Sequence, residues 1–409
     1  MKKLFSVALG ILTAIGGFVD IGDLVTNAVV GSRFGLGLAW VVVVGVVGIC
    51  VYAQMSGRVA AVSGRATFEV IRERLGPRAG LANLAASFLI TLLTVTAEVG
   101  GVALALQLAT SVGPGWWIPV AAFGVWIVVW RAKFSLLENV TGLLGLALIV
   151  FAVALFMLSP DWGALVDQAL TPAIPDGEPV ATYWFYAVAL FGAAMTPYEV
   201  FFFSSGAVEE GWTRKDLATS RANVLVGFPL GGLLSIAIAG CAAVVLLPES
   251  IAVTSLSQVV LPVAEAGGML ALSFAIVGIL AATFGAALET TLSTGYTLAQ
   301  YLGWSWGKFR RPAQAARFHV AMIVVLLVAV GILATGVDPI AVTEISVVFS
   351  AVALPLTYLP ILLVANDPEY MGEHVNGRGM NAIAMVYLVI IVVAALAAIP
   401  LLFITGAGA

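Results

Sequence analysis

Residues 16–34 read GGFVDIGDLVTNAVVGSRF and place two aspartates, Asp20 and Asp23, inside an otherwise apolar run. The run is long enough to cross a bilayer. A carboxylate inside a membrane span costs about 3 kcal/mol or more, so such a residue usually faces a polar pathway. Gly22, between the two aspartates, loosens the helix. The stretch therefore predicts a broken first span that carries a functional site.

The composition of the whole chain indicates a polytopic membrane protein. Its 409 residues are 61% hydrophobic and only 10% charged, whereas soluble domains carry about 25% charged residues. The N-terminus, MKKLFSVALGILTAIGG, has the basic start of a signal peptide, but its apolar run continues into the aspartate pair. We therefore interpret it as a retained span. Cys50 and Cys241 lie in apolar runs and predict packing residues, not a disulfide or a thiolate metal site.

Runs of about 20 apolar residues recur along the chain and predict an all-α protein with eleven spans. They cover residues 6–31, 36–62, 80–111, 115–131, 135–158, 181–207, 219–247, 262–301, 316–337, 339–364 and 380–405. The eighth is long enough to include an extension at the membrane surface or outside the membrane.

Positive charge sets the predicted orientation, because Lys and Arg are retained on the cytoplasmic side. With a cytoplasmic N-terminus, every one of the 18 Lys and Arg residues except Arg33 falls on that side. The largest outer loop, residues 159–180, is acidic, and Pro172, Pro175 and Pro179 predict that it forms an extended cap. We therefore expect an integral protein of a bacterial plasma membrane, with the N-terminus cytoplasmic and the C-terminus outside.

The sixth span is interrupted at Thr196-Pro197, five spans after the interrupted first span. Proline inside a helix removes one hydrogen bond and frees a backbone carbonyl. Alone it often marks only a kink, but two broken helices at matching positions of two five-span halves indicate an inverted-repeat transporter with a substrate site at the midplane. We predict a single transmembrane domain, residues 1–409, with a first repeat at 1–160, an inverted second repeat at 181–365 and an extra helix at 380–405.

The two breaks supply hard oxygen ligands. Asp20 and Asp23 are three residues apart, so they can converge on one cation together with freed carbonyls. Thr196 and Glu199 lie in the sixth-span segment AAMTPYEVFFF. Carboxylate, hydroxyl and carbonyl oxygens suit magnesium, manganese or calcium. The alternative for the aspartates is a helix cap or a water-lined ion pair without transport.

Three segments resemble the natural resistance-associated macrophage protein family, NRAMP, whose members carry divalent transition metals. They are GGFVDIGDLVTNAVVGSRFG in span 1, TAEVGGVALALQL in span 3 and AAMTPYEVFFFSSGAV in span 6. Asp20 and Gly22 match the Asp and Gly of the family's Asp-Pro-Gly-Asn motif. Pro197 matches the Pro of its Met-Pro-His motif, and Glu98 matches a membrane Glu of span 3. The resemblance implies the leucine-transporter-like fold of the amino acid-polyamine-organocation superfamily, with spans 1 and 6 broken.

Departures from the family pattern change the expected cargo. Asp23 replaces the family Asn and Thr196 replaces its Met, which shifts the preference from iron toward strongly hydrated, hard cations. Tyr198 replaces its His and Val95 replaces an Asp, which removes groups that resemble the family's proton route, because neither side chain shuttles protons near neutral pH. The pattern is similar to the NRAMP-related magnesium transporters, a branch with an enlarged oxygen-rich site and no clear proton coupling.

We therefore predict secondary transport of Mg²⁺ and/or Mn²⁺ by alternating access, without strict proton coupling. The candidate metal ligands are Asp20, Asp23, Thr196, Glu199 and, as the resemblance implies, the carbonyls of Gly17 and Ala193. The candidate pathway residues are Tyr198, Glu98, Met195 and Pro197. The expected partners are the metal ion and the lipid bilayer, with no resident cofactor, nucleic acid or obligatory protein partner.

Several alternatives stay open. A transporter of amino acids, amines or polyamines from the same superfamily would use the same broken span, although two aspartates there would repel a substrate carboxylate. An enzyme is not expected, because the only histidines, His319 and His374, fall at span ends. Glu98 can line the pathway or hydrogen bond to a neighbouring threonine. Glu289, in the segment ETTLSTGYT, favours a polar packing network over an ion site.

Overall fold

A computed structural model describes residues 18–131, 140, 142–308 and 310–406, and this part of the chain is helical, without strands. We number its helices α1 to α14. They are α1 (Ile21–Phe34), α2 (Ala39–Ser63), α3 (Thr67–Thr110), α4 (Pro114–Arg131), α5 (Ile149–Met157), α6 (Trp162–Leu170), α7 (Val180–Ala194), α8 (Pro197–Glu209), α9 (Leu217–Val245), α10 (Leu256–Leu302), α11 (Ala316–Ala334), α12 (Pro339–Ala365), α13 (Pro368–Met371) and α14 (Arg378–Ile404).

Length and composition identify eight membrane-spanning candidates within the described ranges, with α7 and α8 counted together. The helices Gly142–Met157 and Trp162–Leu170 pass the same test as a pair bent by 114° and make up a ninth. α4 adds an apolar helix of 18 residues. The protein is therefore an all-α, polytopic integral membrane protein, as predicted. The division into repeats at 1–160 and 181–365, followed by an extra helix, stays a prediction.

The two predicted breaks are present, and each has a local cause. α1 begins at Ile21 because the Asp20 side chain accepts a hydrogen bond from the Asp23 amide, which caps the helix. α7 ends at Ala194, and α8 begins with Pro197 in its first turn, where a missing N–H costs nothing. The two residues between these helices, 195 and 196, have non-helical backbone angles.

Backbone-to-backbone packing holds the broken helices against their neighbours. A Cβ added to Gly31 of α1 would lie 2.2 Å from the carbonyl oxygen of Ala239 in α9. A Cβ added to Gly192 of α7 would lie 2.1 Å from the carbonyl oxygen of Val347 in α12. Glycine at both positions therefore lets α9 pack closely against α1, and α12 against the end of α7.

The outer loop differs from the prediction. Residues 159–180 were expected to form an extended cap, but α6 occupies Trp162–Leu170, and Asp161 caps it by accepting a hydrogen bond from the Ala164 amide at 3.1 Å. The prediction is wrong for this part of the loop because the three prolines that suggested it all follow α6. Glu178, after α6, accepts two hydrogen bonds from Arg33, at 3.0 and 3.1 Å.

Two long helices, α3 and α10, contain internal breaks at glycine. Gly76 in α3 has φ 77° and Gly268 in α10 has φ 62°, values that glycine adopts far more readily than other residues. The third span therefore begins at Pro77, preceded by a separate helical segment from Thr67. The extension predicted for the eighth span is the segment from Leu256 to the break at Gly268.

Candidate metal-binding site

Asp20 joins the two breaks directly. Its Oδ1 accepts a hydrogen bond from the Asp23 amide at 2.8 Å, and its Oδ2 accepts one from the Tyr198 hydroxyl at 3.2 Å. Tyr198 lies in the first turn of α8, so the start of α1 and the start of α8 meet at this carboxylate. Asp20 is 2% exposed. The residue that the sequence singled out first therefore lies between the two broken spans.

Glu98 of α3 lies against the same break. Its Oε1 accepts a hydrogen bond from the Ile21 amide at 3.2 Å, whereas its Oε2 has no hydrogen-bond partner among the described residues. The neighbouring Thr94 and Thr96 donate instead to the carbonyls of Ile90 and Leu92. The alternative of a hydrogen bond to one of these threonines is therefore not what the structure shows, and one carboxylate oxygen of Glu98 is available.

The second break supplies further oxygens. The carbonyl of Ala193 would normally bond to the amide four residues later, but that residue is Pro197, which has no N–H. The Thr196 hydroxyl hydrogen bonds to the Glu199 carboxylate. Glu199 Oε2 has no hydrogen-bond partner in the described ranges. Both side chains are 4% exposed. The predicted carbonyl ligand Gly17 lies outside the described residues.

Asp23 points to α9. Its Oδ2 accepts a hydrogen bond from the Ser235 hydroxyl at 2.5 Å, and its Oδ1 accepts one from the Asn27 amide at 2.9 Å. Both oxygens are therefore engaged within the protein, and Asp23 adds negative charge next to Asp20. Ser235 was not among the residues that the sequence predicted for the site. Its only signal is a hydroxyl in the apolar segment LLSIAIAG, which is a common feature of packed membrane helices.

Met195 is fully buried, and its thioether packs against α2. A Cβ on Gly48 of α2 would lie 2.5 Å from Met195 Sδ and 2.8 Å from the ring of Tyr387 in α14. The sulfur therefore lies in the contact between α2 and α14. Thr196, the next residue, is the one whose side chain meets Glu199.

The donor set at the breaks consists of oxygen atoms. Asp20 and Glu199 offer carboxylates, Thr196 a hydroxyl and Ala193 a carbonyl, the ligand types that Mg²⁺ and Mn²⁺ prefer. Across the described ranges no three His, Cys, Asp or Glu side chains are grouped so that they could hold an ion. The arrangement suits a hard cation that retains some of its water.

The C-terminal end of α8 is attached to the connection between α10 and α11. Glu209 Oε1 accepts hydrogen bonds from the Tyr296 hydroxyl at 2.9 Å and from the Lys308 amide at 2.6 Å. Burial lowers the pKa of the Lys308 side chain to about 7, against its ordinary value of 10.5, although the charge of Glu209 opposes the shift. A buried amine therefore lies at the far end of the helix that begins at the site.

Known proteins match the chain along most of its length. The profile of the family described as natural resistance-associated macrophage protein-like matches residues 10–400. The divalent metal cation transporter MntH of Ralstonia nicotianae is 27% identical, over 96% of this chain and 90% of its own. MntH of Aeromonas hydrophila is 28% identical, but over 59% of this chain, which spans only 60% of that relative.

Solved structures show the same fold. A crystal structure of the Eremococcus coleocola manganese transporter, in complex with an aromatic bis-isothiourea substituted compound, has a TM-score of 0.70 at 18% identity and covers 95% of this chain and 85% of its own. MhsT in complex with L-phenylalanine has a TM-score of 0.62 at 17% identity and covers 95% of this chain and 98% of its own. These likenesses confirm the leucine-transporter-like fold that the family resemblance implied.

Proposed function

We propose, from the premise that this chain belongs to the natural resistance-associated macrophage protein (NRAMP) family, that it transports divalent metal cations across a membrane. Its relatives include proteins named divalent metal cation transporter, and a neighbour of the same fold is named a manganese transporter. The cation is the substrate, and no catalytic chemistry is part of the proposal.

The observation that carries the proposal is the contact between Asp20 and Tyr198 at 3.2 Å. It brings a buried carboxylate at one helix break to the start of the helix after the other break, where Thr196, Glu199 and the Ala193 carbonyl add oxygens. Half-helix ends at the midplane of such folds bind the transported ion, and relative motion of the two broken helices changes its access from one side to the other. Asp20 is thus the proposed central ligand.

The proposed substrates are Mg²⁺ and/or Mn²⁺. Mg²⁺ dehydrates reluctantly and is usually held by one or two carboxylates with several waters retained. Thr196 places a hard oxygen at the second break, and the sulfur of Met195 packs against Gly48 instead. Asp23 adds a negative charge beside Asp20, and this charge favours a divalent cation. If Asp23 is released from Ser235 and Asn27, it can also bind the cation directly.

We further propose that uptake is driven by the membrane potential without strict proton coupling. The two positions that would carry a proton route in the resembled family hold Tyr198 and Val95, and neither titrates near neutral pH. The proposed setting is a bacterial plasma membrane with the N-terminus in the cytoplasm and the C-terminus outside.

Uptake by purified protein in proteoliposomes tests the proposal. We expect Mg²⁺ and Mn²⁺ to enter, and we expect Asp20→Asn to reduce entry at least about tenfold, which corresponds to about 1.4 kcal/mol of binding. Asp167→Asn is the matched control, because Asp167 is an exposed carboxylate in α6. Entry that is unaffected by Asp20→Asn, or that is equally reduced by Asp167→Asn, would contradict the proposal.

The competing class, a transporter of amino acids, amines or polyamines, is not favoured. A substrate carboxylate would meet two buried aspartates at the first break. Thermal stabilisation of the purified protein separates the classes, since a ligand stabilises the folded state in proportion to its occupancy. We expect stabilisation by Mg²⁺ or Mn²⁺; stabilisation by spermidine or phenylalanine and by neither metal would support the competing class.

A further inference from the structure

We propose that Arg58 of α2 and Arg221 of α9 form a binding site for the phosphate of an anionic phospholipid. The site lies on the outside of the helix bundle, at the end of both helices that the predicted topology places on the cytoplasmic side. Its ligand is a component of the membrane and not the transported ion, so this second proposal goes beyond the proposed function and does not depend on it.

The packing of α2 against α9 brings the two arginines together. A Cβ added to Gly57 of α2 would lie 2.9 Å from Ser220 Oγ of α9. Arg58 follows Gly57 and Arg221 follows Ser220, so one arginine lies beside each side of this close contact. The two guanidiniums are near enough for Arg221 to act electrostatically on Arg58.

Arg58 is half-buried, and its charge has no acidic partner. Its Nη2 donates a hydrogen bond to Asn376 Oδ1, whereas its Nε is buried and has no hydrogen-bond partner among the described residues. The charged group that acts on Arg58 is Arg221, which repels it. Neither arginine forms an ion pair within the described ranges. Burying a charge without a counterion is costly, so the pair favours the binding of an anion.

Asn376 fixes the direction of the Arg58 side chain. Asn376 is 7% exposed, and its Nδ2 donates to Asn381 Oδ1 at 3.0 Å and to Met55 Sδ at 3.5 Å. These contacts turn its Oδ1 toward Arg58. A guanidinium that is held at one nitrogen keeps its other donors in a fixed plane, and such a planar set of donors suits the oxygens of a phosphate.

The depth of Arg58 in the membrane matches the level of lipid phosphates. Gly48 of α2 lies at the level of the second break, because a Cβ there would lie 2.5 Å from Met195 Sδ. The broken helices of this fold meet near the midplane of the membrane. Arg58 follows Gly48 by ten residues, which span about 15 Å of helix. This distance equals half of the hydrocarbon core, which is about 30 Å thick.

Apolar side chains next to the arginines provide a surface for acyl chains. Val43 and Val47 are exposed on α2, and Arg58 lies on the same face, three turns after Val47. On α9, the exposed Leu225 follows Arg221 by one turn. Basic pockets between membrane helices on the cytoplasmic side bind lipid headgroups. A phospholipid matches both the charge and the adjoining apolar surface, whereas free phosphate matches only the charge.

Thermal unfolding of the full-length protein in detergent tests the proposal. Dioleoylphosphatidylglycerol, dioleoylphosphatidylcholine and inorganic phosphate are added separately over the same range of concentrations. We expect phosphatidylglycerol to raise the unfolding midpoint, since a ligand of the folded state stabilises it, and the other two additions to give no comparable rise. Arg221→Gln should increase the phosphatidylglycerol concentration for half-maximal stabilisation about fivefold, and Arg58→Gln should increase it at least as much.

Arg78→Gln is the matched control, because Arg78 is an exposed arginine of α3 on the same predicted side of the membrane. This variant should respond to phosphatidylglycerol as the wild type does. Arg58→Gln also removes the contact with Asn376. Should it fail to fold, Arg221→Gln tests the site alone, since Arg221 is exposed.

Four results would overturn the inference. The first is equal stabilisation of the wild type by phosphatidylcholine and phosphatidylglycerol, or by neither. The second is stabilisation by inorganic phosphate that depends on the same two arginines, which would indicate a site for free phosphate. The third is an unchanged phosphatidylglycerol requirement in Arg221→Gln. The fourth is an equal change in Arg78→Gln, which would indicate a general effect of surface charge.

Discussion

Asp20 uses its two carboxylate oxygens differently, and this difference bears on the proposed binding of a cation. Oδ1 caps α1 through the Asp23 amide, whereas Oδ2 accepts the weaker, 3.2 Å hydrogen bond from Tyr198. The first contact fixes the orientation of the carboxylate before a cation arrives. The second can be exchanged for a metal–oxygen contact without disrupting the helix start. Asp20 therefore presents one fixed oxygen and one exchangeable oxygen.

Ser235 provides a test of how Asp23 is held. Ser235→Ala removes the donor to Asp23 Oδ2 and leaves a buried carboxylate oxygen without its partner. We expect the free energy of unfolding to fall by about 1–3 kcal/mol, measured as a lower midpoint of thermal unfolding in detergent. Ser273→Ala is the control, because Ser273 is exposed and its hydroxyl donates to the Met269 carbonyl of its own helix. Equal midpoints for the two variants would contradict this account of Asp23.

Lys308 predicts a pH dependence of stability. Burial lowers its folded-state pKa to about 7, whereas an unfolded lysine titrates near 10.5. Between these values the unfolded chain holds a proton that the folded protein has released, so the contribution of Lys308 to stability increases with pH across this window. Below pH 7 the buried amine is charged, and the free-energy cost of burying it is largest.

Lys308→Met removes this titration. The variant should unfold at a higher temperature than the wild type near pH 7, and the difference should shrink toward pH 10, where the buried neutral amine costs about as little as the methionine. Thermal unfolding followed across this range checks the prediction, with the exposed Lys215→Met as the control. A constant difference between Lys308→Met and the wild type at all pH values would rule out the titration.

At the scale of elements, the two breaks have different origins. α1 starts where a side chain caps it, and α8 starts where a proline ends the hydrogen bonding of α7. Both causes are local, so both breaks could be predicted from a few neighbouring residues. The helices packed around the breaks could not, because their contacts join residues such as Asp23 and Ser235 that are 212 positions apart.

Pro197→Ala tests the part that the second break plays in binding. Alanine supplies the amide that the Ala193 carbonyl lacks, so the helix can close over the break and remove one ligand oxygen. We expect metal uptake to fall about tenfold, while the thermal stability stays equal or increases. Pro400→Ala, in the exposed part of α14, should leave uptake unchanged. Wild-type uptake in Pro197→Ala would show that the carbonyl is not a ligand.

The sequence was a poor guide where the structure depends on the exact position of a residue and not on the composition of its segment. Pro172, Pro175 and Pro179 indicated an extended loop, but all three follow Leu170, so α6 forms ahead of them. Met195 adjoins the break, and its sulfur packs against Gly48, a contact that the sequence did not indicate; its role as a pathway residue stays a prediction. At a helix break, the direction of a side chain depends on the backbone angles of the residues in the break. The sequence does not specify those angles.

For the whole molecule, apolar runs and charge distribution predicted the class, the two breaks predicted an inverted-repeat transporter, and the resemblance to the NRAMP family implied the fold. Arg33, the one basic residue predicted on the outer side, pairs with Glu178 of the loop predicted on that side. The structure therefore places the two at the same end of the molecule, as the proposed orientation requires. Only the positive-inside rule indicates on which side of the membrane the end with Arg33 and Glu178 lies.

Labelling of single cysteines tests the orientation. Cys50 and Cys241 are buried, and both can be replaced by alanine before a cysteine is introduced elsewhere. We expect an impermeant maleimide to label Asp176→Cys in intact cells and Lys215→Cys only after the membrane is opened, because the two positions lie on opposite sides in the predicted topology. The reverse pattern would invert the topology and the direction of transport inferred from it.

The central claim is that Asp20 binds a hard divalent cation whose movement does not require protons. Its most direct test records Mg²⁺ or Mn²⁺ uptake and internal pH together, in proteoliposomes with an imposed potential and no initial proton gradient. We predict metal entry without matching acidification, lost in Asp20→Asn and retained in Asp167→Asn. Entry only when a proton gradient is supplied, or entry that survives Asp20→Asn, would contradict the claim.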